Sequence, residues 1–417
     1  MGSLGDRQAG GRPAWHPLKG VVVLEFAWTL PGPYCGQVLA ALGADVVKVE
    51  PPGRGDSLRS LMPAMFEIYN RGKRSVSVDL KNPRSADVVR TLVASSDVLL
   101  EGFRPGVADR LGISAKVVHG INPAIVYCSI SGFGQSGPLA QLPGHDATYA
   151  ALSGALGAPA RSAPEPRLSA LPVGDLAAGA VAAMTVLAAL AGDPAQRRRV
   201  ALDVGIADVL SSWSAAKAAE YLVTGQLPEV SEQQPPTQEV YQCRDGEFLA
   251  IGAMEDPFWR SLCTVLHRAD WLGRADLVTN AGRALAGAEL RAELAAAFSA
   301  DDASSWEMRL TAADVPAQRV LSVPEALATE HAAVRGIVRP RGTGREITFP
   351  AVVAGFEAPV LNDAPALGAD SVTVLAERGA TRDDIASWQA AGLLGDASAP
   401  AVDDEALPAA RAGGLHE

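Results

Sequence analysis

Short, nearly uninterrupted apolar runs recur along the first half of the chain, each separated from the next by a helical pattern. This alternation restricts the fold more than any other feature. Val21-Val22-Val23-Leu24-Glu25-Phe26 is the first such run. A strand exposed on one face alternates apolar and polar residues. A run that is apolar on both faces belongs to a strand covered on both sides, as in parallel sheets sandwiched by helices. Pro31-Gly32-Pro33 reads as a turn, Tyr34 to Leu42 as a helix, and Gly43 as its C′ stop. Ala44 to Glu50 is a second strand, which completes a strand–helix–strand unit. Ser75 to Leu80, Val98 to Leu100 and Ile125 to Ile130 are further strands, with helices at Asn82 to Ser96 and from Val107 to Leu111 between them. Helices at Ala147 to Leu156 and Leu176 to Leu190, a strand at Val200 to Val204 and a long helix at Ile206 to Leu222 continue the pattern. The expected fold is α/β, a Rossmann-like domain around a mostly parallel sheet.

At 417 residues the chain exceeds one ordinary compact domain. The texture changes after Gly225 to Thr237, a stretch rich in Gln, Pro and Glu that reads as a linker. Gln238 to Ile251 then looks like a hairpin turning at Arg244-Asp245-Gly246, and helices are expected at about 256–267, 286–299 and 303–312. Ile347 to Val353 reads as a return to the first domain. The expected division is a flexible N-terminus over 1–17, a large α/β domain over 18–224, a smaller α+β domain over 225–330, a return to the large domain over 331–394, and a disordered tail over 395–417.

The net charge of −11 and the lack of a long basic run argue against nucleic acid as a partner. No membrane is expected either, because the longest helical apolar run, Leu176 to Ala191, is short and Ala-rich. Cys35, Cys128, Cys243 and Cys263 are widely spaced, with neither a C-x-x-C pair nor a zinc-spaced Cys/His cluster. No metal site is expected, and a reduced, cytoplasmic compartment fits this usage. Gly132-Phe133-Gly134-Gln135-Ser136-Gly137 matches G-x-G-x-x-G after a strand, but Pro138 follows where a helix should open. It reads as a tight loop, not as a dinucleotide site.

Pro143-Gly144-His145-Asp146 and, thirty residues beyond His145, Gly174-Asp175 set a histidine and an aspartate beside glycines in apolar surroundings. Imidazole titrates near neutrality, and partial burial can bring a carboxylate towards it, so the two are natural parts of an acid/base pair. On spacing alone, a turn histidine and a helix-capping aspartate account for them as well.

Several segments, taken together and in order, resemble the family III CoA-transferase (CaiB/BaiF) superfamily, which includes the α-methylacyl-CoA racemases. They are Leu18-Lys19-Gly20, Pro31-Gly32-Pro33-Tyr34-Cys35-Gly36, Leu42 to Glu50, Asn70-Arg71-Gly72-Lys73-Arg74-Ser75, Glu101 to Val107, and Ser131 to Pro138. The resemblance implies an acyl-CoA thioester as substrate, with coenzyme A as part of that substrate and no separate cofactor. It implies a homodimer of two interlocked, intertwined chains. CoA phosphates need fixed cations, and the resemblance assigns CoA contacts to Arg71, Lys73, Arg74 and Arg104, the last weighted above Arg54 and Arg59, with Tyr149 beside them. Ordinary solvated loop charge is the alternative for the cations.

Both branches of the superfamily place an aspartate where Asp175 stands. In transferases it is the nucleophile of a covalent aspartyl-CoA route. In racemases it pairs with a histidine resembling His145, and the two exchange the α-proton on opposite faces. His145 to Gly154 resembles the racemase segment, and Gly252-Ala253-Met254-Glu255 resembles the one whose glutamate orients that histidine; a carboxylate satisfying a helix N-terminus is the alternative for Glu255. Glu50-Pro51-Pro52-Gly53-Arg54-Gly55-Asp56 resembles the transferases instead. The expectation is a racemase or epimerase of a 2-methylacyl-CoA, with a CoA-transferase as the alternative.

Overall fold

The computed structural model describes residues 12–156, 168–193, 198–226, 235–342 and 344–395. The apolar runs become six strands: β1 (Val22–Phe26), β2 (Asp45–Glu50), β3 (Arg74–Ser77), β4 (Val98–Glu101), β5 (Val126–Ser131) and β6 (Ala201–Gly205). They pair throughout in parallel, in the order β3-β2-β1-β4-β5-β6. This is the order of a doubly wound Rossmann sheet, which reverses direction between β1 and β4. The continuous apolar runs are explained by packing on both faces. Val23, Val98, Leu100, Val126 and Cys128 join one core cluster, while Leu24, Phe26, Leu99 and Tyr127 join the other.

The first helix, Pro31–Ala41, begins earlier than the sequence suggests. Pro31-Gly32-Pro33 forms its first turn, not a separate turn. The N–H groups of a helix's first turn have no intrahelical partner, so proline costs nothing there and its fixed φ favours the helix. Gly43 ends the segment at φ +98°, as expected. Helix Val173–Ala191 is also longer than expected, at 19 residues and a mean hydropathy of 1.9, so by length and composition alone it could cross a membrane. Its small residues Gly174, Ala177, Ala178, Gly179, Ala182 and Ala183 are buried, and it packs on helix Pro31–Ala41, β5 and β6. After β5, the Gly132–Gly137 loop runs through bends and turns with no helix opening.

The exception within β1 is Glu25, fully buried among apolar neighbours. A lone buried carboxylate would be prohibitively costly. It has two equally buried partners, Lys48 Nζ at 2.9 Å and Lys73 Nζ at 2.7 Å. Lys48 also reaches Asp56 at 2.9 Å, and Glu50 holds Arg59 at 2.7 Å. Burial alone would raise the Glu25 carboxyl, but the two ammonium groups overcome it and hold the group below its ordinary range.

The chain divides into two compact units. Unit one holds the described residues up to 156, from 168 to 214 and from 340 onward; unit two holds 215–339. The divisions thus fall at 215 and 340, where the sequence texture put them at 225 and 331. The first lies inside one continuous helix, Ile206–Thr224, which has no break in helical pattern for a sequence reading to detect. Unit two carries the expected hairpin, β7 (Val240–Gln242) with β8 (Phe248–Ile251), extended antiparallel by β9 (Ala317–Arg319). Helices Asp256–Val265, Gly287–Phe298 and Ala303–Ala312 lie near the expected bounds. Within the stretch expected to be flexible, Trp15 N–H donates to Glu357 O, and Glu357 N–H to Pro13 O. Residues 1–11, most of the expected linker (227–234) and all but the first residue of the expected tail (396–417) lie outside the described residues.

Candidate active site

In an open α/β sheet, ligands bind outside the carboxyl ends of the strands where the strand order reverses. A cleft of about 190 Å³ opens there. Trp28 and Thr29 follow β1, Phe103 and Arg104 follow β4, and Ser131 and Gly132 close β5. The same cleft is lined by His145, Tyr149 and Asp175. The two residues that spacing alone could not distinguish from structural ones therefore share a cavity with the favoured cation, Arg104.

His145 is exposed and occupies the N-cap of helix Asp146–Leu152. Its backbone N–H donates to Thr148 Oγ1 at 3.0 Å, and Thr148 Oγ1 donates back to His145 O at 2.8 Å. Its main chain is fixed in this way while the imidazole lines the cleft. Asp175 lies in the first turn of helix Val173–Ala191. A helix N-terminus favours a carboxylate anion. Burial outweighs that effect and, with the nearby Asp146 carboxylate, pushes Asp175 up to about 6. Tyr149 is buried and packs edge-on to Phe133 at 5.1 Å. Its ring requires glycine on both sides, because a Cβ on Gly132 or Gly144 would stand about 2.5 Å and 2.4 Å from it. Burial first and Asp175 second raise the phenol above its ordinary range.

A second, more apolar cleft of about 520 Å³ lies at the ends of β1 to β4. Trp28 and Phe103 line both clefts and meet edge-on, with ring centroids 5.5 Å apart. Pro51, Pro52, Leu80 and Val107 line the second cleft together with exposed Arg54 and Lys81. Arg54, ranked below Arg104 from sequence, stands 6.0 Å from the Trp28 ring. Lys81 is a further cation of this cleft, outside the expected set. Its signal was available, since it follows β3 on the carboxyl side where ligands of such sheets bind.

The other expected cations are not brought to either cleft. Lys73 is a correction: its ammonium is fully buried and saturated by Glu25, Pro33 O at 2.9 Å and Asn70 Oδ1 at 2.9 Å. Burial lowers it to about 8 in spite of Glu25. An ammonium with three internal acceptors has no donor to offer a phosphate. Arg74 pairs with Asp45 and with Glu377 at 2.6 Å, and Arg71 with Glu67 at 3.2 Å and Glu346 at 3.5 Å. Glu255 lies in unit two at the N-cap of helix Asp256–Val265, exposed, and its side chain makes no capping hydrogen bond. It borders an open recess with Met254, Asp256, Pro257, Thr279 and Asn280. Among the described residues no His, Cys, Asp and Glu cluster could hold a metal.

The sheet order and this cleft define a class: a Rossmann-type α/β protein with a perturbed carboxylate and an imidazole at the switch point. CoA-transferase family III matches residues 18–371, and the chain belongs to that family. Two relatives of differing activity match about equally well. The succinate–glutarate CoA-transferase of Agrobacterium fabrum is 30% identical over 87% of this chain and 95% of its own. The α-methylacyl-CoA racemase of Homo sapiens is 30% identical over 88% and 95%. The crystal structure of a CaiB/BaiF family protein from Brucella suis superimposes with a TM-score of 0.77 at 28% identity, covering 87% of this chain and 99% of that one. The chain is thus an enzyme of family III, in a superfamily whose members act on acyl-CoA as transferases or racemases.

Proposed function

We propose that this enzyme inverts the α-carbon of a 2-methylacyl-CoA thioester by two-base proton transfer. The observation that carries the reading is that His145 and Asp175 line one cleft while Asp175 is pushed up to about 6. Asp175 is thereby raised towards neutrality, where a carboxylate can serve as acid as well as base. Reversible inversion needs two groups, each of which is the base in one direction and the acid in the other. One base takes the α-proton as the C–H bond breaks and its electron pair passes to the thioester carbonyl as an enolate. The other, protonated, returns a proton to the opposite face. In this reading Arg104 supplies positive charge beside the thioester. The neighbouring cleft suits the nucleotide end of CoA, with apolar walls for a flat ring and Arg54 and Lys81 for phosphate. Glu255 is read as a further catalytic group, and the enzyme as an interlocked homodimer.

A second reading, CoA transfer through an aspartyl-CoA thioester on Asp175, is favoured by the equally similar transferase relative and by the Glu50–Asp56 segment. Substitution of His145 separates the two. Under proton transfer, His145→Ala lowers hydrogen exchange at C2 by about 10²- to 10⁴-fold. No exchange at C2 in the parent protein, with hydroxylamine trapping an acylated Asp175, would establish the transferase instead.

A further inference from the structure

One oxygen atom joins the segments that carry His145 and Asp175. Asp146 Oδ1 accepts the Gly174 N–H at 2.7 Å and the Asp175 N–H at 3.1 Å. Asp146 follows His145 directly and opens helix Asp146–Leu152. The two N–H groups are among those that a helix leaves unpaired at its start, and Pro172, the N-cap of helix Val173–Ala191, provides no side-chain acceptor for them. The approach is tight: a Cβ on Gly174 would stand 2.9 Å from that same Asp146 oxygen and 2.8 Å from Leu210 Cδ1. The residue beside His145 is thereby locked to the backbone of Asp175 itself.

We infer that Asp146 is a positioning residue, whose carboxylate holds His145 and Asp175 in one register and whose negative charge tunes the reacting carboxylate. This rests on Asp175 being the reacting group, and it holds for proton transfer and for nucleophilic attack alike. Two N–H groups that could have solvated Asp175 are turned to Asp146, and a second negative charge stands close by. Both effects disfavour the Asp175 anion. Arg104, His145 and Tyr149 share the cleft with Asp175, and the elements packed on its helix carry Tyr34 and Cys35 (helix Pro31–Ala41), Cys128 (β5) and Asp203 (β6). Burial comes first in raising Asp175, and the charge of Asp146 second.

Titration without substrate tests the charge. The thermal midpoints of the parent and of Asp175→Asn are compared across pH, and their difference reports where Asp175 ionises. The same comparison is made in the Asp146→Asn background. An amide oxygen can accept both N–H groups, so this change removes the charge and keeps the bonds. The ionisation is expected to move down by roughly half to one pH unit. Turnover tests the clamp. With 2-methyldecanoyl-CoA as probe, Asp146→Ala is expected to lose about tenfold more kcat than Asp146→Asn, with KM little changed. An unmoved ionisation, or equal kcat in the two variants, overturns the inference. Full activity in Asp175→Ala removes the functional reading alone and leaves the titration result standing.

Discussion

Asp175 is subject to opposing influences, and their balance has a measurable consequence for stability. Its folded pKa, raised to about 6, lies above the ordinary 3.8. The stability gained from the protonated form is present below the ordinary value and is lost as pH rises through about 6, because the unfolded chain releases this proton first. At neutral pH the buried anion costs up to about 3 kcal/mol. Asp175→Asn is therefore expected to raise the thermal midpoint near neutrality by a few degrees and to leave it unchanged near pH 4, which calorimetry at the two pH values checks. Lys73 shows where residue-level reading fails. An N-R-G-K-R-S run before a strand looks the same whether its lysine meets a phosphate or a buried carboxylate. The discriminating signal was Glu25, an acid inside an apolar strand, which demands a buried cation nearby. Lys73→Met is expected to cost about 3–5 kcal/mol in urea unfolding while CoA affinity of the folded protein is retained. Arg54→Ala is expected to weaken CoA binding with little loss of stability, as calorimetric titration would show.

At the scale of elements, β1, β4 and β5 were legible because burial on both faces writes a continuous apolar run. Helix ends were less so. The Pro31–Gly32–Pro33 start shows why, since proline suits a turn and the first helical turn equally well. Helix Val173–Ala191 shows the converse: its composition alone would suit a membrane, but its small residues serve close packing on helix Pro31–Ala41. At Gly179 a Cβ would stand 2.5 Å from Pro31 O and 3.0 Å from Tyr34 Cδ1. Alanine is the better helix former by up to about 1 kcal/mol, but this backbone contact cannot yield without parting the two helices. Gly179→Ala is accordingly expected to destabilise the protein by about 1–3 kcal/mol, measured by urea unfolding. Net stabilisation would show that the helices part easily.

At the scale of the whole molecule, alternation of strands and helices predicted a parallel sheet, but not the order β3-β2-β1-β4-β5-β6. Which strand lies beside which depends on non-local pairing that no local pattern encodes. The cleft follows from that order, and so His145 and Asp175, thirty residues apart, could be paired from sequence only through the resemblance. The side-chain acceptor that links them, Asp146, was visible only as the neighbour of His145. Exposed apolar side chains on helix Ile206–Thr224, among them Trp213, Leu222 and Val223, suit burial against a second copy. Light scattering is expected to give twice the 43.1 kDa chain mass. In the proposed reaction two bases exchange the α-proton of an acyl-CoA. Its most direct measurement is incubation of one enantiomer of 2-methyldecanoyl-CoA with the enzyme in D₂O, followed by mass and chiral analysis. One deuterium at C2 is expected to appear together with loss of optical purity. Full retention of the C2 hydrogen and of configuration, in enzyme that transfers CoA to a free carboxylic acid, would contradict it.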